Sequence, residues 1–283
     1  MKTYNCFQFY NELDLLEVRL QEGWDSTDYF VISEASHTHA GNAKEYLMLD
    51  HWERFKPYAD KICRIQVDED LDVQRKIFSG ESDEWVREKY QRYALVHGLK
   101  DLKAEDLIII SDLDEVPRSE IIKLIKEDTN NYDRYILNIP HFHFRLNYIR
   151  VEPQTVFGNI MVVRGKAFTN VMSEREFTFP WFRTPDNSVV VDHGGWHWSD
   201  FGDDKHVINK LQNFCHLDLN TPNYIGNINL DKLISENKGR DSNETFASVI
   251  VDDYFPKCIT DNMDKWKNMI VPNAQHTIYD FYK

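Results

Sequence analysis

Residues 107–117 read LIIISDLDEVP, an apolar run that passes directly into a cluster of acidic residues. Four apolar residues in succession, Leu107 to Ile110, favour a central parallel strand that is covered on both faces. Asp112 and Asp114 follow at positions i and i+2, whose side chains share one face of an extended chain. Two carboxylates this close repel each other unless a cation or strong donors lie between them. The stretch predicts either a ligand-binding acidic pair at a strand end or a solvated acidic loop, and the buried strand favours the former.

The segments around this strand alternate between strand-like and helix-like patterns. In the first half, strands are predicted at 4–9, 29–33, 61–67 and 107–110, and helices at 11–24 and 82–97. This order predicts an α/β fold with a mostly parallel central sheet flanked by helices, which binds ligands beyond the carboxyl ends of its strands. In the second half, strands are predicted at 135–148, 156–163 and 189–191, and helices at 205–214, 231–236 and near Ser248.

Composition restricts the class of protein. The chain carries 33 basic and 47 acidic side chains, a formal net charge of −14, and no dense Lys/Arg stripe. A surface of this sign repels duplex phosphates, so nucleic acid is not expected as a partner. The start of the chain has no basic segment followed by an apolar stretch, and no window approaches the roughly 20 apolar residues that span a bilayer. From these features we expect a soluble, cytoplasmic protein without a transmembrane segment.

A second group of residues with ligand-binding chemistry occurs at 192–200, DHGGWHWSD. His193 and His197 can each offer an imidazole to a metal ion, and Trp196 and Trp198 can stack on a sugar ring or a base. The alternative is a glycine turn with core tryptophans and hydrogen-bonded histidines. The sequence leaves both interpretations open.

Two further sets of residues are weaker candidates. His141 and His143 offer two imidazoles on one face of a strand, or else form a hydrogen-bonded pair beside the ligand crevice. The cations nearest the second group are Lys205, Lys210 and Arg240, and one of them can hold a diphosphate. The alternative for each is a solvated surface charge.

With these residues in hand, the sequence resembles glycosyltransferase family 17. The matching stretches are residues 4–20, 28–35, 110–117, 195–199 and 253–256. The resemblance implies a GT-A type fold, a UDP-sugar donor with GlcNAc as the expected sugar, Mn²⁺ or Mg²⁺ as cofactor, and inversion at the anomeric carbon. It also implies a glycan or glycoconjugate acceptor. It leaves the oligomeric state open.

The change of pattern between the two halves indicates how the chain is divided, and the resemblance suggests where it comes from. A single catalytic domain is expected over 1–283, with a nucleotide-binding half at 1–117 and, at 118–283, an acceptor-side half with a smaller sheet and C-terminal helices. Animal members of the family are Golgi membrane proteins with an N-terminal anchor. Because this chain shows no such anchor, a bacterial or viral source and a different acceptor are expected.

The resemblance also assigns roles by position. Asp114 is expected to bind the metal, Asp112 to bind it through water or to hold the ribose, and His197 to be a further ligand, with His193 second. Residues expected at the donor are Glu34, Gln91, Arg92, Asp112 and Lys210, together with Phe7, Phe9 and Asn11, whose segment is expected to line the base pocket through backbone groups. The general base is expected to be Asp200, and the alternatives are Glu115, Glu174, Glu176 and Asp203.

Two other classes of protein remain open at this stage. A metal-dependent hydrolase would use Asp112, Asp114, His193 and His197, although no compact His-x-x-x-His ligand pair is predicted on a helix and the acidic residues are scattered. A non-catalytic carbohydrate-binding protein would use exposed aromatic residues. The acidic pair after the buried strand argues against the second class, because a protein that only binds sugars needs no diphosphate-metal site.

Overall fold

The computed structural model describes residues 1–178, 185–241 and 243–282. Its strands are β1 Thr3–Phe9, β2 Tyr29–Ala35, β3 Ile62–Val67, β4 Leu107–Ile110, β5 Glu115–Pro117, β6 Arg134–His143, β7 Tyr148–Glu152, β8 Val156–Arg164, β9 Ser188–Val191, β10 Gly195–Ser199 and β11 Thr245–Ser248. Its α-helices are α1 Leu13–Gly23, α2 Leu47–Asp50, α3 Trp52–Phe55, α4 Leu71–Ile77, α5 Asp83–Tyr93, α6 Ser119–Glu127, α7 Val171–Arg175, α8 Asp204–Asn213, α9 Pro222–Gly226, α10 Leu230–Ser235, α11 Lys257–Thr260 and α12 Met263–Trp266.

One sheet with a branch organises the molecule. Its main path runs β11-β7-β6-β8-β4-β1-β2-β3. The four strands β3, β2, β1 and β4 are parallel, whereas β8 lies antiparallel to both β4 and β6. The short strand β10 pairs with β5 and with the end of β6, which forms a smaller sheet beside the carboxyl end of β4. The predicted α/β fold is confirmed, with four parallel strands in the first half and, in the second half, antiparallel pairs together with the parallel pairs of β6 with β9 and β10.

Helix α1 covers one face of the parallel strands. Leu16 and Leu20 pack with Phe7, Phe9 and Phe30 in one buried cluster. The opposite face carries a separate cluster that includes Cys6, Ile108 and Ile110. Burial on both faces explains why β4 is a continuous apolar run rather than an alternating pattern. The acidic residues of 112–115 follow directly after the carboxyl end of β4.

Most predicted elements are confirmed, and two are corrected. The stretch 135–148 is two strands, β6 and β7, because the chain turns at Phe144, which has a positive φ of 61°. The helix expected near Ser248 is strand β11, which pairs with β7. The apolar pattern near Ser248 is too short to distinguish a helical from a strand period, and pairing with β7 determines that this segment is a strand. Among the described residues, no helix is both long and apolar enough to cross a bilayer.

Candidate active site

A buried arginine fixes the turn that carries the acidic residues. Arg19, on the inner face of α1, donates from Nη1 to the carbonyl oxygens of Leu113 and Glu115 at 3.2 and 3.0 Å, and it also contacts the carbonyl oxygen of Asp112. Its Nη2 donates to Ser111 Oγ at 2.8 Å. Its guanidinium therefore satisfies several backbone carbonyls of one tight turn and fixes the direction in which the two aspartates leave it.

Two arginines hold the first aspartate. Arg92 of α5 lies 2.8 Å from Asp112 Oδ1, and Arg175 of α7 donates to Asp112 Oδ2 at 2.9 Å. Arg175 also donates to Glu115 Oε1 at 2.8 Å, and Arg92 binds Glu88. Burial raises the pKa of Asp112, but attraction from the two guanidinium groups outweighs it, and the pKa lies well below its usual range. Asp112 is thus an ionised carboxylate with both oxygens engaged.

The second aspartate has looser partners. Asp114 Oδ2 lies 3.4 Å from Lys210 Nζ of α8 and 3.7 Å from His197 Nε2 of β10. Burial raises its pKa, but the charge of Lys210 and then the imidazole of His197 lower it to about 2. The carboxylate is ionised and 13% exposed. These long contacts leave room for a further ligand at Asp114.

Three imidazoles lie behind Asp114. His197 stacks on His141 with a centroid separation of 4.2 Å and an interplanar angle of 7°, and His141 Nε2 lies 3.0 Å from His143 Nε2. Burial lowers the pKa of His143 to about 3. The predicted pair at 141 and 143 is therefore a hydrogen-bonded, neutral pair, and only His197 reaches the aspartate.

Asp200 also lies beside Lys210. Its Oδ1 is 3.5 Å from Lys210 Nζ, and its Oδ2 is 3.1 Å from Arg240 Nη1. Burial raises the pKa of Asp200, but the charges of Lys210 and Arg240 outweigh this effect and keep the pKa below its usual value. Asp200 is 4% exposed. Its geometry is that of a buried anion between two cations.

A cavity of about 1120 Å³ opens over the carboxyl ends of β1 and β4. Five Lys or Arg side chains line it within the described residues, and each is already paired with an acid. The pairs are Lys44 with Glu34, Lys89 with Glu81, Arg92 with Glu88 and Asp112, Arg175 with Asp112 and Glu115, and Lys210 with Asp114 and Asp200. The cavity is large enough for a nucleotide sugar, but its positive charge is already balanced.

The predicted donor-site residues divide into two groups. Those that line the cavity are Phe9, Gln91, Arg92, Asp112, Asp114 and Lys210. Phe7 is fully buried with Arg19 over its ring, and Glu34 is fully buried against Lys44 behind the cavity wall. Asn11 lines a small adjacent cleft instead. Phe7 and Phe9 share one face of β1 and pack in the same cluster, and Phe9, the last residue of the strand, is the one that lines the cavity.

Several candidates for the general base and the metal site lie elsewhere. Glu174 is fully buried and pairs with Arg134 Nε at 2.7 Å, so the expectation that it reaches the crevice is corrected. Glu115 is 2% exposed. Asp203 caps α8 by accepting from His206 N. His193 stacks on Tyr282 with a centroid separation of 4.0 Å and does not line the cavity. The expectation that His193 lies beside Asp114 is therefore wrong.

The two tryptophans of the 192–200 segment are core residues. Trp196 packs against Arg118, and Trp198 donates from Nε1 to the carbonyl oxygen of Leu146 at 3.0 Å. Each is 1% exposed. The glycine turn with core tryptophans, and not a pair of stacking platforms, is the interpretation that the structure supports.

Sequence reasoning missed three residues that shape this site: Arg19, Asn159 and Arg175. Arg19 carries a recognisable signal, because it is a charged residue three positions after the core residue Leu16 on the buried face of a helix. Arg175 and Asn159 reach the site through tertiary packing alone, and nothing in their local sequence marks them.

The glycosyltransferase family 17 model matches residues 1–246. The chain belongs to glycosyltransferase family 17. Two curated relatives are named β-1,4-mannosyl-glycoprotein 4-β-N-acetylglucosaminyltransferase. The one from rat and the one from human are both 27% identical over 131 residues, which are 44% of this chain and 23% and 24% of the respective relatives. The chain thus spans about a quarter of these relatives' length. Their mammalian source gives no support to the expected bacterial or viral origin.

Solved structures show more distant similarity. TarS residues 1–349 from S. aureus is 12% identical with a TM-score of 0.36, over 71% of this chain and 60% of that one. The galactosyltransferase LgtC, in complex with donor and acceptor sugar analogs, is 11% identical with a TM-score of 0.31, over 61% and 62% of the two chains. TM-scores this low do not establish a shared fold, so the fold of this family 17 chain is defined by its own strand order.

A divalent cation, as expected for this family 17 chain, fits Asp114 and His197 better than Asp112. Asp112 has both oxygens on arginines, whereas Asp114 has only long contacts. The described residues contain no group of three or more His, Cys, Asp or Glu arranged as a metal site, so substrate oxygens would have to complete the coordination.

The second partner of His197 supports the fit. His197 Nδ1 lies 3.2 Å from Asn159 Nδ2, and Asn159 Oδ1 is buried without a hydrogen-bond partner among the described residues. A half-turn of the amide lets Oδ1 accept from Nδ1–H. That tautomer leaves the Nε2 lone pair facing Asp114, which is the form in which an imidazole binds a metal.

Proposed function

We propose that this family 17 chain transfers GlcNAc from UDP-GlcNAc to a hydroxyl group of a glycan or glycoconjugate, with inversion and with a divalent cation. One observation supports the proposal above others. A cavity large enough for a nucleotide sugar opens on Asp114, and each Lys or Arg that lines it within the described residues is already paired with an acid. A diphosphate that enters this cavity therefore needs additional positive charge, and a divalent cation supplies it.

The residues of the chain divide the work. Asp114 and His197 would hold the cation, which when bound neutralises charge on the departing diphosphate. Arg92 and Arg175 hold Asp112 ionised and rigid, so that its exposed edge faces the cavity. Lys210 lies between Asp114 and Asp200, and its ammonium group would be a further donor to the diphosphate. Asp112, Arg92 and Arg175 are fixed before substrate binds, which is the main requirement for electrostatic stabilisation of a leaving group.

The two other classes of protein receive less support. A metal-dependent hydrolase was expected to use His193, which lies against Tyr282 and away from Asp114. A carbohydrate-binding protein was expected to use exposed aromatic residues, but Trp196 and Trp198 are buried. Hydrolysis of a simple ester or glycoside in the absence of a nucleotide would favour the hydrolase.

The test is a screen of donor hydrolysis. Purified protein is mixed with Mn²⁺ and one of several nucleotide sugars, and release of the nucleotide is measured with and without EDTA. We expect turnover of UDP-GlcNAc that EDTA abolishes. Asp114→Ala should lower the rate by about 100-fold or more, the effect of removing an electrostatic stabiliser. Asp72→Asn, at an exposed carboxylate on α4, is the matched control.

Calorimetry separates binding from catalysis. We expect UDP to bind the wild-type protein only when Mn²⁺ or Mg²⁺ is present. Equal hydrolysis by the wild type and Asp114→Ala would defeat the role of Asp114. Sugar binding with no effect of nucleotide or metal would instead establish the carbohydrate-binding protein.

A further inference from the structure

Transfer to a hydroxyl requires a proton acceptor, and the cavity offers six carboxylates. They are Glu12, Glu81, Glu88, Asp112, Asp114 and Glu176. Four of the six form ion pairs with Lys or Arg. Within the described residues, Glu12 and Glu176 have no Lys or Arg nitrogen within ion-pair distance. An ion pair stabilises the anion and makes it a weaker proton acceptor. Pairing therefore separates Glu12 and Glu176 from the other acids.

Position separates Glu12 from Glu176. Besides the large cavity, a small cleft of about 10 Å³ lies beside Asp114, and Glu12, Asp114 and Lys210 line both. Glu176 lines only the large cavity. A volume of this size holds about one water molecule or one hydroxyl group. The small cleft is thus a hydroxyl-sized space between an unpaired carboxylate and the aspartate that faces the leaving group.

The local structure holds Glu12 in place without using up its charge. Glu12 is the N-cap residue of α1 and follows the end of β1 after Tyr10 and Asn11, and β1 pairs with β4 in the sheet. Its Oε2 accepts one hydrogen bond, from Asn11 N at 3.1 Å, and its side chain makes no capping bond to the helix. One carboxylate oxygen is therefore oriented by the backbone, and the other is available to a ligand.

We propose that Glu12 is the general base of the transfer reaction and that the acceptor hydroxyl enters through the small cleft. The hydroxyl proton passes to the Glu12 carboxylate as the acceptor oxygen forms a bond to the anomeric carbon. The bond from that carbon to the β-phosphate oxygen breaks, and UDP leaves with the electron pair. Asp200, the base expected from the sequence, instead stays bound to Lys210 and Arg240. This inference rests on the proposed function.

The test is the kinetics of Glu12→Gln, with water in place of the acceptor. UDP-GlcNAc hydrolysis with Mn²⁺ is measured, together with UDP binding and thermal unfolding. We expect kcat to fall by about 100-fold or more, within the range for a general base, while KM and UDP affinity stay within a few-fold. Glutamine keeps an acceptor for Asn11 N, so folding should be retained. Glu12→Asp, which keeps the charge but shortens the reach, should fall between the wild type and Glu12→Gln.

The results distinguish this inference from the proposed function. If the wild type turns over UDP-GlcNAc and Glu12→Gln does so equally well, the proposed function stands and the role of Glu12 is overturned. A loss of UDP binding that matches the loss of rate would make Glu12 a donor-binding residue, which also overturns it. A larger kcat loss in Glu176→Gln than in Glu12→Gln would move the base to Glu176. A wild type that turns over no nucleotide sugar defeats both proposals.

Discussion

Arg19 donates from Nη1 to the carbonyl oxygen of Glu115 at 3.0 Å, although 96 residues separate the two in sequence. The same nitrogen reaches the carbonyl oxygen of Leu113 at 3.2 Å. A helix near the start of the chain therefore determines the shape of the turn that carries Asp112 and Asp114. The geometry of the turn and the packing of α1 are linked through this one side chain, and binding of the proposed cation would depend on both.

Replacement of Arg19 should consequently affect both stability and binding. Arg19→Met keeps the apolar contact with Phe7 but leaves buried carbonyls without donors, so the free energy of unfolding should fall by about 2–4 kcal/mol. Arg19→Lys retains the charge but reaches fewer acceptors and should lose less. Urea unfolding measures the loss of stability in each of the two variants. At Arg75→Met, which removes an exposed ion pair, the change should stay within about 0.5 kcal/mol. Similar losses at positions 19 and 75 would contradict the role of Arg19.

The two aspartates should differ in their effect on metal binding. Both Asp112 oxygens are bound to arginines, whereas Asp114 is available, so Asp114→Asn should weaken Mn²⁺ binding far more than Asp112→Asn. We expect a loss of roughly 100-fold at Asp114 and of no more than about tenfold at Asp112, which would act only through its neighbours. Titration of Mn²⁺ in the presence of UDP, followed by electron paramagnetic resonance, measures both. Equal losses of Mn²⁺ affinity in the two variants would indicate that Asp112 also binds the metal ion.

The sequence predicts the parts of this site that depend on local patterns, and it does not predict the parts that depend on contacts between distant segments. Leu107 to Ile110 predicts β4 because a strand buried on both faces must be apolar throughout, and the position of Asp112 and Asp114 follows from it. The partners of those aspartates do not follow. Arg92 and Arg175 come from two helices whose arrangement is set by packing against the sheet, and a single sequence does not encode that arrangement in any local pattern.

The same distinction explains Asp200. Its place directly after β10, which carries the Trp-His-Trp segment, puts it near Asp114, as expected, because β10 leads to the site. Its chemistry, however, depends on Lys210 from α8 and on Arg240 from a segment 40 residues further on. Proximity was predictable from strand order, but the charge environment was not. The residue therefore lies in the right region while its ion pairs disfavour the predicted role.

A glycine at the start of β10 should be indispensable to the small sheet. A Cβ at Gly195 would lie 2.0 Å from the carbonyl oxygen of Val116 on β5, and backbone atoms cannot move aside as a flexible side chain can. Gly195→Ala should lower the free energy of unfolding by about 2–3 kcal/mol, as overpacking does. It should also weaken Mn²⁺ binding, because β10 carries His197. At Gly226→Ala, where no atom lies within 4 Å, stability should stay the same or rise slightly.

The buried imidazole pair should make stability depend on pH in a direction that follows from burial. His143 is 4% exposed, and burial lowers its pKa from 6.5 to about 3. Between those values the unfolded chain binds a proton that the folded protein does not. The stabilising effect is therefore complete above about pH 6.5 and is lost as the pH falls toward 3. From pH 7 to pH 5, His143 alone should lower the free energy of unfolding by about 2 kcal/mol.

His143→Gln isolates this contribution, because glutamine is polar and does not titrate. The decrease in the free energy of unfolding between pH 7 and pH 5, measured by urea unfolding, should be about 2 kcal/mol smaller in the variant than in the wild type. If the wild type and His143→Gln lose stability in parallel over this range, His143 binds its proton equally well in the folded and unfolded states, and the neutral imidazole pair behind Asp114 is ruled out.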